Sequence, residues 1–358
     1  MMKNSYLFII FFIYCLNVHA NDGAFKASGN QLIPITETDI KVQKEILTLK
    51  KIKEGFIEVT VYYEFFNPKK EKTLTVGFEA FSPSGDVNGA PKYGEHPYMN
   101  DFTVELNNKI LTYNIAYVKD SLYQQNGKVN SIVLDEFTGS KSGNNVAFFY
   151  VYHFDAKFKK GINIIKHTYR YAISGGICYN YDFSYILTAA NRWGNNQIDD
   201  FTLIIDNGVF QSFDITKTFF NNNSDWLVNG IGKKINAQNE NGLATTRFHI
   251  QKGNIIFQKK NFKPLGELFV SSMYCGMPVS YYNTPFDFQS NRPPEHPKND
   301  FERKLLKNLP FARRGYVFSN NQLQEYYEKL DWYIPNKNYR ANVESLYEEE
   351  KKWLEKYK

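Results

Sequence analysis

The sequence predicts a mainly β protein: an antiparallel β-sandwich body of one or two lobes, followed by a small α-helical C-terminal domain. Three observations predict this fold class. Apolar and polar residues alternate near the start of the mature chain, as they do in half-buried strands. Further short strand-like segments follow, and the connections between them are rich in Gly, Asn, Ser and Pro. In residues 299–358 the apolar residues instead recur at helical spacing.

The first twenty residues are typical of a secretory signal peptide. Lys3 precedes an apolar run at residues 6–16, and Val18-His19-Ala20 places small residues before the expected cleavage site. The run is shorter than the about 20 apolar residues that span a bilayer. We therefore expect cleavage near Ala20, a periplasmic or secreted location, and no membrane span in the mature chain. An N-terminal anchor that is never cleaved is the alternative.

Residues 21–276 are predicted to form the β-sandwich region. Every second residue from Ile57 to Phe65 is apolar, which predicts a strand with one buried face. Asn67-Pro68 ends this strand, and a second alternating strand follows at residues 74–80. We expect the two to form an antiparallel pair joined by a short polar turn. Further strands are predicted at 101–106, 110–118, 146–155, 162–173, 181–189, 201–206 and 247–259, the last as two strands around a turn at Lys252-Gly253-Asn254.

Two cysteines remain after removal of the signal peptide, Cys178 and Cys275. In an oxidising compartment they could form a disulfide. The closed loop of about 100 residues would then stabilise the fold by roughly 4–5 kcal/mol in the chain-entropy model. Two buried thiols are the alternative, and spacing along the sequence does not decide between them.

Residues 277–298 are predicted to be an extended linker, because they are rich in Pro, Asn, Gln and Ser. Residues 299–358 are then predicted to form three short helices. Asn299 with Glu302 is a capping-box pattern that begins the first helix, and Gly315 can close it in a left-handed conformation. Ser319 begins the second helix, and the third is expected from about residue 342.

The segment 309–336, LPFARRGYVFSNNQLQEYYEKLDWYIPN, resembles the YARHG domain, a small bacterial extracytoplasmic module named for a Tyr-Ala-Arg-His-Gly motif. The motif reads Phe311-Ala312-Arg313-Arg314-Gly315 here, so that Phe replaces Tyr and Arg replaces His. The preceding region is similar to a secreted bacterial family of unknown function that often precedes such a domain. That resemblance depends on NDGAF at the mature start, VYYEFFNP, and TAANRWGNNQIDDFTLIID at 188–206. Both resemblances imply architecture and location, and neither implies an activity.

Arg313 and Arg314 are the candidate recognition residues. They are predicted at a helix C-terminus, where the helix dipole stabilises cations, and Tyr316, Trp332 and Tyr333 lie close to them in sequence. One interpretation is a basic–aromatic site for an acidic glycan, a lipid headgroup or a protein carboxylate. The other is structural: the arginines cap the helix and pair with Glu328 or Asp331, and the aromatic residues form the core of the small domain.

The sequence predicts no catalytic, metal or cofactor site. It lacks the G-x-S-x-G, H-E-x-x-H and C-x-x-C motifs and a phosphate-binding glycine loop. The formal net charge of +6 comes from interspersed basic residues, which does not indicate nucleic acid. Asp135-Glu136 and Asp199-Asp200 are adjacent acids, and neighbours in a strand face opposite sides, so adjacency does not build a two-acid site.

We therefore expect a non-enzymatic binding or scaffold protein of the bacterial cell envelope, whose partner is an envelope protein or an acidic glycan. The competing hypothesis is a hydrolase of envelope glycan or peptide bonds. A cleft with two convergent carboxylates about 5–10 Å apart would favour the hydrolase. A third hypothesis is that the helical tail only caps the sandwich and the partner surface lies elsewhere. The oligomeric state does not follow from the sequence.

Overall fold

A computed structural model describes residues 28–36, 38–53, 55–83, 89–118, 129, 131–132, 148–176, 179–239, 241–273 and 297–357. Within these residues the chain is mainly β, and its α-helices lie near the C-terminus, which confirms the predicted fold class. The predicted signal peptide, Cys178, Cys275 and nearly all of the predicted linker lie outside the described residues.

The strands are numbered in chain order. They are β1 (Ser28–Gly29), β2 (Leu32–Pro34), β3 (Lys41–Ile52), β4 (Phe56–Asn67), β5 (Lys72–Phe81), β6 (Met99–Leu106), β7 (Lys109–Ile110), β8 (Asn114–Val118), β9 (Phe149–Phe158), β10 (Gly161–Ala172), β11 (Ser174–Gly176), β12 (Tyr179–Tyr185), β13 (Ile198–Asp206), β14 (Gln211–Thr216), β15 (Trp226–Gln238), β16 (Ala244–Phe262) and β17 (Leu268–Met273). The helices are α1 (Asp300–Ala312), α2 (Asn321–Glu328) and α3 (Glu348–Lys356).

These strands form two sheets, which together are called the β-body (residues 28–273). In the described part of the chain, the large sheet has 13 strands, with the order β1-β12-β17-β14-β16-β13-β3-β4-β10-β6-β7, and β11 beside β12 and β15 beside β16. The smaller sheet has 4 strands, in the order β2-β5-β9-β8. Most pairings are antiparallel as predicted, but β13 runs parallel to β3 and β1 parallel to β12.

Aromatic side chains fill the space between the two sheets. The ring of Phe78 on β5 lies 5.5 Å from that of Phe102 on β6 and 4.8 Å from that of Tyr169 on β10. The alternate residues from Ile57 to Phe65 on β4 are all buried, as their spacing predicts. The first half of the β-body is therefore a sandwich, and its core continues without a break into the β14–β16 region.

The predicted pairing of β4 with β5 is wrong. β4 pairs with β3 and β10 in the large sheet, whereas β5 pairs with β2 and β9 in the smaller one. Asn67 supports the crossover between the sheets, because its buried side-chain amide donates to the carbonyl oxygens of Lys70 and Phe158 at 3.1 and 3.2 Å. Alternation predicts which face of a strand is buried, but both sheets of a sandwich bury one face, so it does not identify the pairing partner.

The predicted turn at Lys252-Gly253-Asn254 is also wrong, because β16 continues through it. Gly253 lies opposite Gly230 of β15, and the register shifts one residue further along β15, between Ile231 and Gly232. Both glycines have positive φ, +102° for Gly253 and +141° for Gly230. A Cβ on Gly253 would lie 2.1 Å from the carbonyl oxygen of Asn229. The two glycines therefore allow a close approach of two backbones within a long hairpin rather than a reversal of the chain.

The substitution Gly253→Ala should lower the free energy of unfolding by about 2 kcal/mol, because the added Cβ meets a backbone oxygen and positive φ is unfavourable for alanine. Gly242→Ala is the control. Gly242 also has positive φ, but nothing lies within 4 Å of an added Cβ, so we expect a loss of only about 1 kcal/mol. Urea unfolding of both variants measures the difference. Equal losses would show that the close approach is not the cause.

The C-terminal helices have a hydrophobic core separate from that of the β-body. Its buried members include Leu305 and Leu309 of α1, Tyr327 of α2, and Trp353 of α3. The indole nitrogen of Trp353 donates to the carbonyl oxygen of Leu306 at 2.7 Å, which holds α3 against α1. Residues 297–357 therefore form a small helical domain.

The helix caps are close to the predicted positions. The side chain of Asn299 accepts a hydrogen bond from the amide of Glu302 at 2.9 Å, so α1 begins where predicted. α2 is capped by Asn320, one residue after the predicted Ser319. α3 begins at Glu348, later than predicted, because residues 343–345 form a separate 3-10 turn.

Candidate functional site

The two candidate arginines lie in the interior of the protein. They directly follow α1, and Gly315, with a φ of +82°, ends the helix as predicted. Arg313 is 6% exposed and Arg314 is 8% exposed. Both guanidinium groups form ion pairs with the carboxylate of Glu350 on α3, which is neither of the predicted partners, Glu328 and Asp331. Arg314 also donates to the carbonyl oxygen of Pro310 at 2.8 Å, near the end of α1.

Two positive charges share one buried negative charge in this Arg–Glu–Arg cluster (Arg313, Glu350 and Arg314). Glu350 is 1% exposed. Burial lowers the pKa of Arg313 to about 10, against the opposing effect of the Glu350 charge, so this guanidinium stays protonated at neutral pH. Buried charges persist only where they are paired and hydrogen-bonded. The geometry therefore favours the structural interpretation, in which the arginines fasten the end of α1 to α3.

The three candidate aromatic residues also belong to the helical domain. Trp332 and Tyr333 are buried, and Tyr316 packs against the same core. The hydroxyl of Tyr333 donates to the carbonyl oxygen of Tyr316 at 2.6 Å. The five predicted site residues thus lie in one domain, and the charged groups of Arg313 and Arg314 and the hydroxyl of Tyr333 contact partners within it. A ligand-binding role for them stays a prediction.

A groove of about 460 Å³ lies on the outer face of the large sheet, where β3, β13 and β16 run side by side. The strand register places Lys44 and Lys260 on either side of Asp200. Lys260 forms an ion pair with Asp200 at 2.8 Å. The lining carries a net positive charge, and it comprises Lys44, Ile46, Asp200, Thr202, Ile204, Gln258, Lys259 and Lys260.

The neighbouring acids Asp199 and Asp200 have different surroundings, as predicted for adjacent residues of a strand. Asp200 lines the groove, whereas Asp199 accepts hydrogen bonds from the side chains of Asn195 and Gln197 at 3.0 and 2.7 Å. The other acidic pair, Asp135-Glu136, lies outside the described residues. Within the described part of the chain, no group of three or more His, Cys, Asp or Glu side chains could hold a metal ion.

The sequence alone did not indicate the groove. Its lysines are unremarkable in a chain with 43 basic residues, and they meet only because β3 pairs with β13 and β13 with β16. The outward faces of these strands gave only a partial signal, because polar residues such as Lys44 and Thr202 alternate there with Ile46 and Ile204.

A known family model matches the region that holds α1, α2, α3 and the Arg–Glu–Arg cluster. Residues 290–358 are a YARHG domain. This domain is typical of extracellular proteins. The YARHG motif positions are those that form the end of α1 and contribute both arginines to the cluster. None of the α-helices in the described ranges is long and apolar enough to cross a membrane.

No curated protein is significantly similar to the chain in sequence. Among solved structures, a Legionella pneumophila protein provisionally described as nutrient-binding is 17% identical, with a TM-score of 0.49, over 94% of this chain and 100% of that one. An M1 zinc metallopeptidase from Deinococcus radiodurans is 10% identical, with a TM-score of 0.23, over 67% of this chain and 43% of that one. Baculovirus P35 is 8% identical, with a TM-score of 0.26, over 66% of this chain and 98% of that one. Nothing about function follows from likenesses this distant.

Proposed function

We propose that the protein is a non-enzymatic binding protein of the bacterial cell envelope, extracytoplasmic after cleavage near Ala20, and that the groove on β3, β13 and β16 binds an acidic glycan. The observation that carries this proposal is the net positive charge of a groove on an open sheet face. The YARHG domain, which is typical of extracellular proteins, fits a binding role at the envelope.

The lysines of the groove explain why an anionic ligand is favoured. Lys260 is engaged by Asp200, whereas in the described residues no ion pair involves Lys44, which lies opposite Asp200 on the same face. Lysine is a strongly hydrated point charge on a flexible side chain, so it can meet carboxylate or sulfate groups of varied geometry. Thr202 and Gln258, which lie side by side in the groove, can exchange hydrogen bonds with sugar hydroxyls.

The polar surface continues beyond the groove, which suits a long ligand. Thr48, Thr60, Thr168 and Thr103 lie in register on the adjacent strands β3, β4, β10 and β6. Neighbouring strands are about 4.8 Å apart, so this row presents hydroxyl groups at regular intervals across the sheet. A glycan chain that enters the groove could therefore continue across the strands along this row.

The competing hydrolase hypothesis has less support at the groove. Two-acid hydrolysis of a glycoside needs a pair of carboxyl groups, at separations of about 5–10 Å. Asp200 is the one acidic residue in the groove lining, and Lys260 already pairs with it. The arrangement therefore supports binding without hydrolysis.

Two substitutions should change affinity for an acidic glycan in opposite directions. Lys44→Gln removes an attractive charge and should weaken binding of polygalacturonate about two- to fivefold, whereas Asp200→Asn releases Lys260 and should strengthen it by a similar factor, since exposed charges contribute up to ~1 kcal/mol each. Both effects should shrink as sodium chloride is raised, because salt screens exposed charges. Isothermal titration at low and high salt measures them.

Lys109→Gln is the matched control, because Lys109 is an exposed lysine on β7 at the far edge of the same sheet. This variant should bind polygalacturonate with the affinity of the parent protein. Binding of dextran, which carries no charge, should be the same for all variants. An equal loss in Lys44→Gln and Lys109→Gln would mean that net charge alone attracts the polymer. Unchanged affinity in both groove variants would refute the proposed site.

A further inference from the structure

We propose that the Arg–Glu–Arg cluster of the YARHG domain is a socket for an aromatic side chain, and that Phe210 of the β-body is the anchor that occupies it. This proposal is independent of the groove and of its ligand. It gives the two motif arginines an interaction surface and a partner of defined chemistry.

Phe210 belongs to the β-body in sequence but is buried against the YARHG domain. It lies just before β14, and its ring is 4.0 Å from the guanidinium carbon of Arg313 and 5.0 Å from that of Arg314. Tyr347 meets the same ring edge-on, with centroids 6.3 Å apart and planes at 78°. A guanidinium over a phenyl ring is a cation–π contact, which strengthens when water is excluded. Phe210 is buried, so water is largely excluded here.

The backbone of Phe210 supports a role as an anchor. Its φ is +52°, in a region that bulky side chains rarely adopt. Its amide donates to the carbonyl oxygen of Gln251 on β16 at 3.0 Å, so the turn is held by the β-body itself. An unfavourable conformation of this kind persists where the surrounding structure determines it and is frequent at sites that clamp a ligand. A turn that needed only its own geometry would be better served by Gly or Asn.

The charge arrangement of the socket matches an aromatic ring. Two guanidinium groups share one carboxylate, so the cluster has a surplus positive charge beside the ring. The face of a phenyl ring is the negative part of its quadrupole and is attracted to that charge. Glu350 holds both guanidinium groups in place, and this pre-organisation lowers the entropy that docking costs.

A second contact fixes how the domain is oriented on the β-body. The ammonium group of Lys233 on β15 donates to the carbonyl oxygen of Tyr333 at 2.6 Å. Phe210 and Lys233 therefore hold the YARHG domain at two places on the β14–β16–β15 part of the sheet. In interfaces of this kind a buried aromatic anchor dominates the binding energy.

The test uses the full mature chain and the variants Phe210→Ala and Phe210→Leu. Loss of the ring should raise the undocked population at least about tenfold, seen as an increase in the radius of gyration by small-angle X-ray scattering. The helical circular dichroism at 222 nm should be unchanged, because the YARHG domain has its own core. Phe210→Leu keeps apolar volume without a ring and should undock to an intermediate extent.

Val209→Ala is the control, because Val209 precedes Phe210 in the same turn and is exposed; it should leave the scattering profile unchanged. Three results would overturn the proposal. An unchanged radius of gyration in Phe210→Ala would show that the ring does not hold the domain. Loss of helical signal in that variant would make Phe210 a folding residue rather than a docking anchor. Full docking of Phe210→Leu would remove the cation–π argument.

Discussion

Replacing Glu350 by Gln should destabilise the YARHG domain by about 3–5 kcal/mol, the cost of removing one partner from a buried ion pair. The carboxylate is the shared counter-charge of Arg313 and Arg314. A neutral amide can accept hydrogen bonds from the arginines but leaves two cations buried without an anion. Urea unfolding followed at 222 nm reports on the helices, and tryptophan fluorescence combines Trp332 and Trp353 of this core with Trp193 and Trp226 of the β-body.

Glu348→Gln is the matched control for Glu350→Gln. Glu348 lies on the same helix, its side chain is 75% exposed, and it pairs with Lys351 at 2.9 Å. Removal of this surface pair should lower the free energy of unfolding only slightly, and that small loss should disappear at high salt. The loss from Glu350→Gln should persist, because buried pairs are weakly screened. Equal small losses in the two variants would show that the buried cluster contributes little to stability.

Local sequence patterns predicted much of the fold because each depends on near neighbours. Alternation identified the buried face of β4, and Asn299 identified the start of α1. The pairing of β3 with β13 joins segments about 150 residues apart, and no local pattern encodes it. The predicted β4–β5 hairpin is wrong for the same reason, because β4 pairs within the large sheet and β5 within the smaller one.

The candidate site shows the same limit at the level of single residues. Adjacent arginines at a helix end are compatible with a surface or an interior, and their neighbours in sequence do not decide between the two. The deciding residue, Glu350, is 36 positions further along the chain than Arg314. Its only local signal is its place in the first turn of α3, where it also accepts a hydrogen bond from the amide of Tyr347 at 2.8 Å. Phe210 had no local signal, because its partners belong to another domain.

A second acidic residue, Glu45, is buried in the β-body and should make stability depend on pH. Glu45 lies on β3 opposite Tyr63 of β4 and is 0% exposed. The side chain of Gln31 donates to one of its carboxyl oxygens at 2.8 Å. The other oxygen has no hydrogen-bond partner among the described residues. Burial raises the pKa of Glu45 to about 8, only partly opposed by the hydrogen bond from Gln31.

Glu45→Gln should therefore stabilise the protein by on the order of 5 kcal/mol at pH 8 and above, with little effect below about pH 4.5. The folded state binds the carboxyl proton of Glu45 more tightly than the unfolded state does. The contribution of this proton to the free energy of unfolding is therefore complete below the unfolded pKa of Glu45 and is lost as the pH rises through about 8. Burial lowers the pKa of His96 and of His167 to about 4. Protonation of these histidines therefore changes the free energy of unfolding only below about pH 6.5. The window from pH 6.5 to 8 thus reports on Glu45.

Urea unfolding at intervals from pH 5 to pH 9 measures this effect, with stability of the parent protein falling across the window and that of Glu45→Gln remaining nearly level. Glu64→Gln is the control, because Glu64 lies on the outer face of β4, where its carboxylate accepts from the hydroxyl of Tyr62 at 3.0 Å. That variant should follow the parent curve. If Glu45→Gln also follows it, the proton is not held at Glu45. A fall in stability of Glu45→Gln at every pH would mean that the core tolerates the carboxylic acid but not the amide, and that packing around Gln31 and Tyr63 controls this site more than charge does.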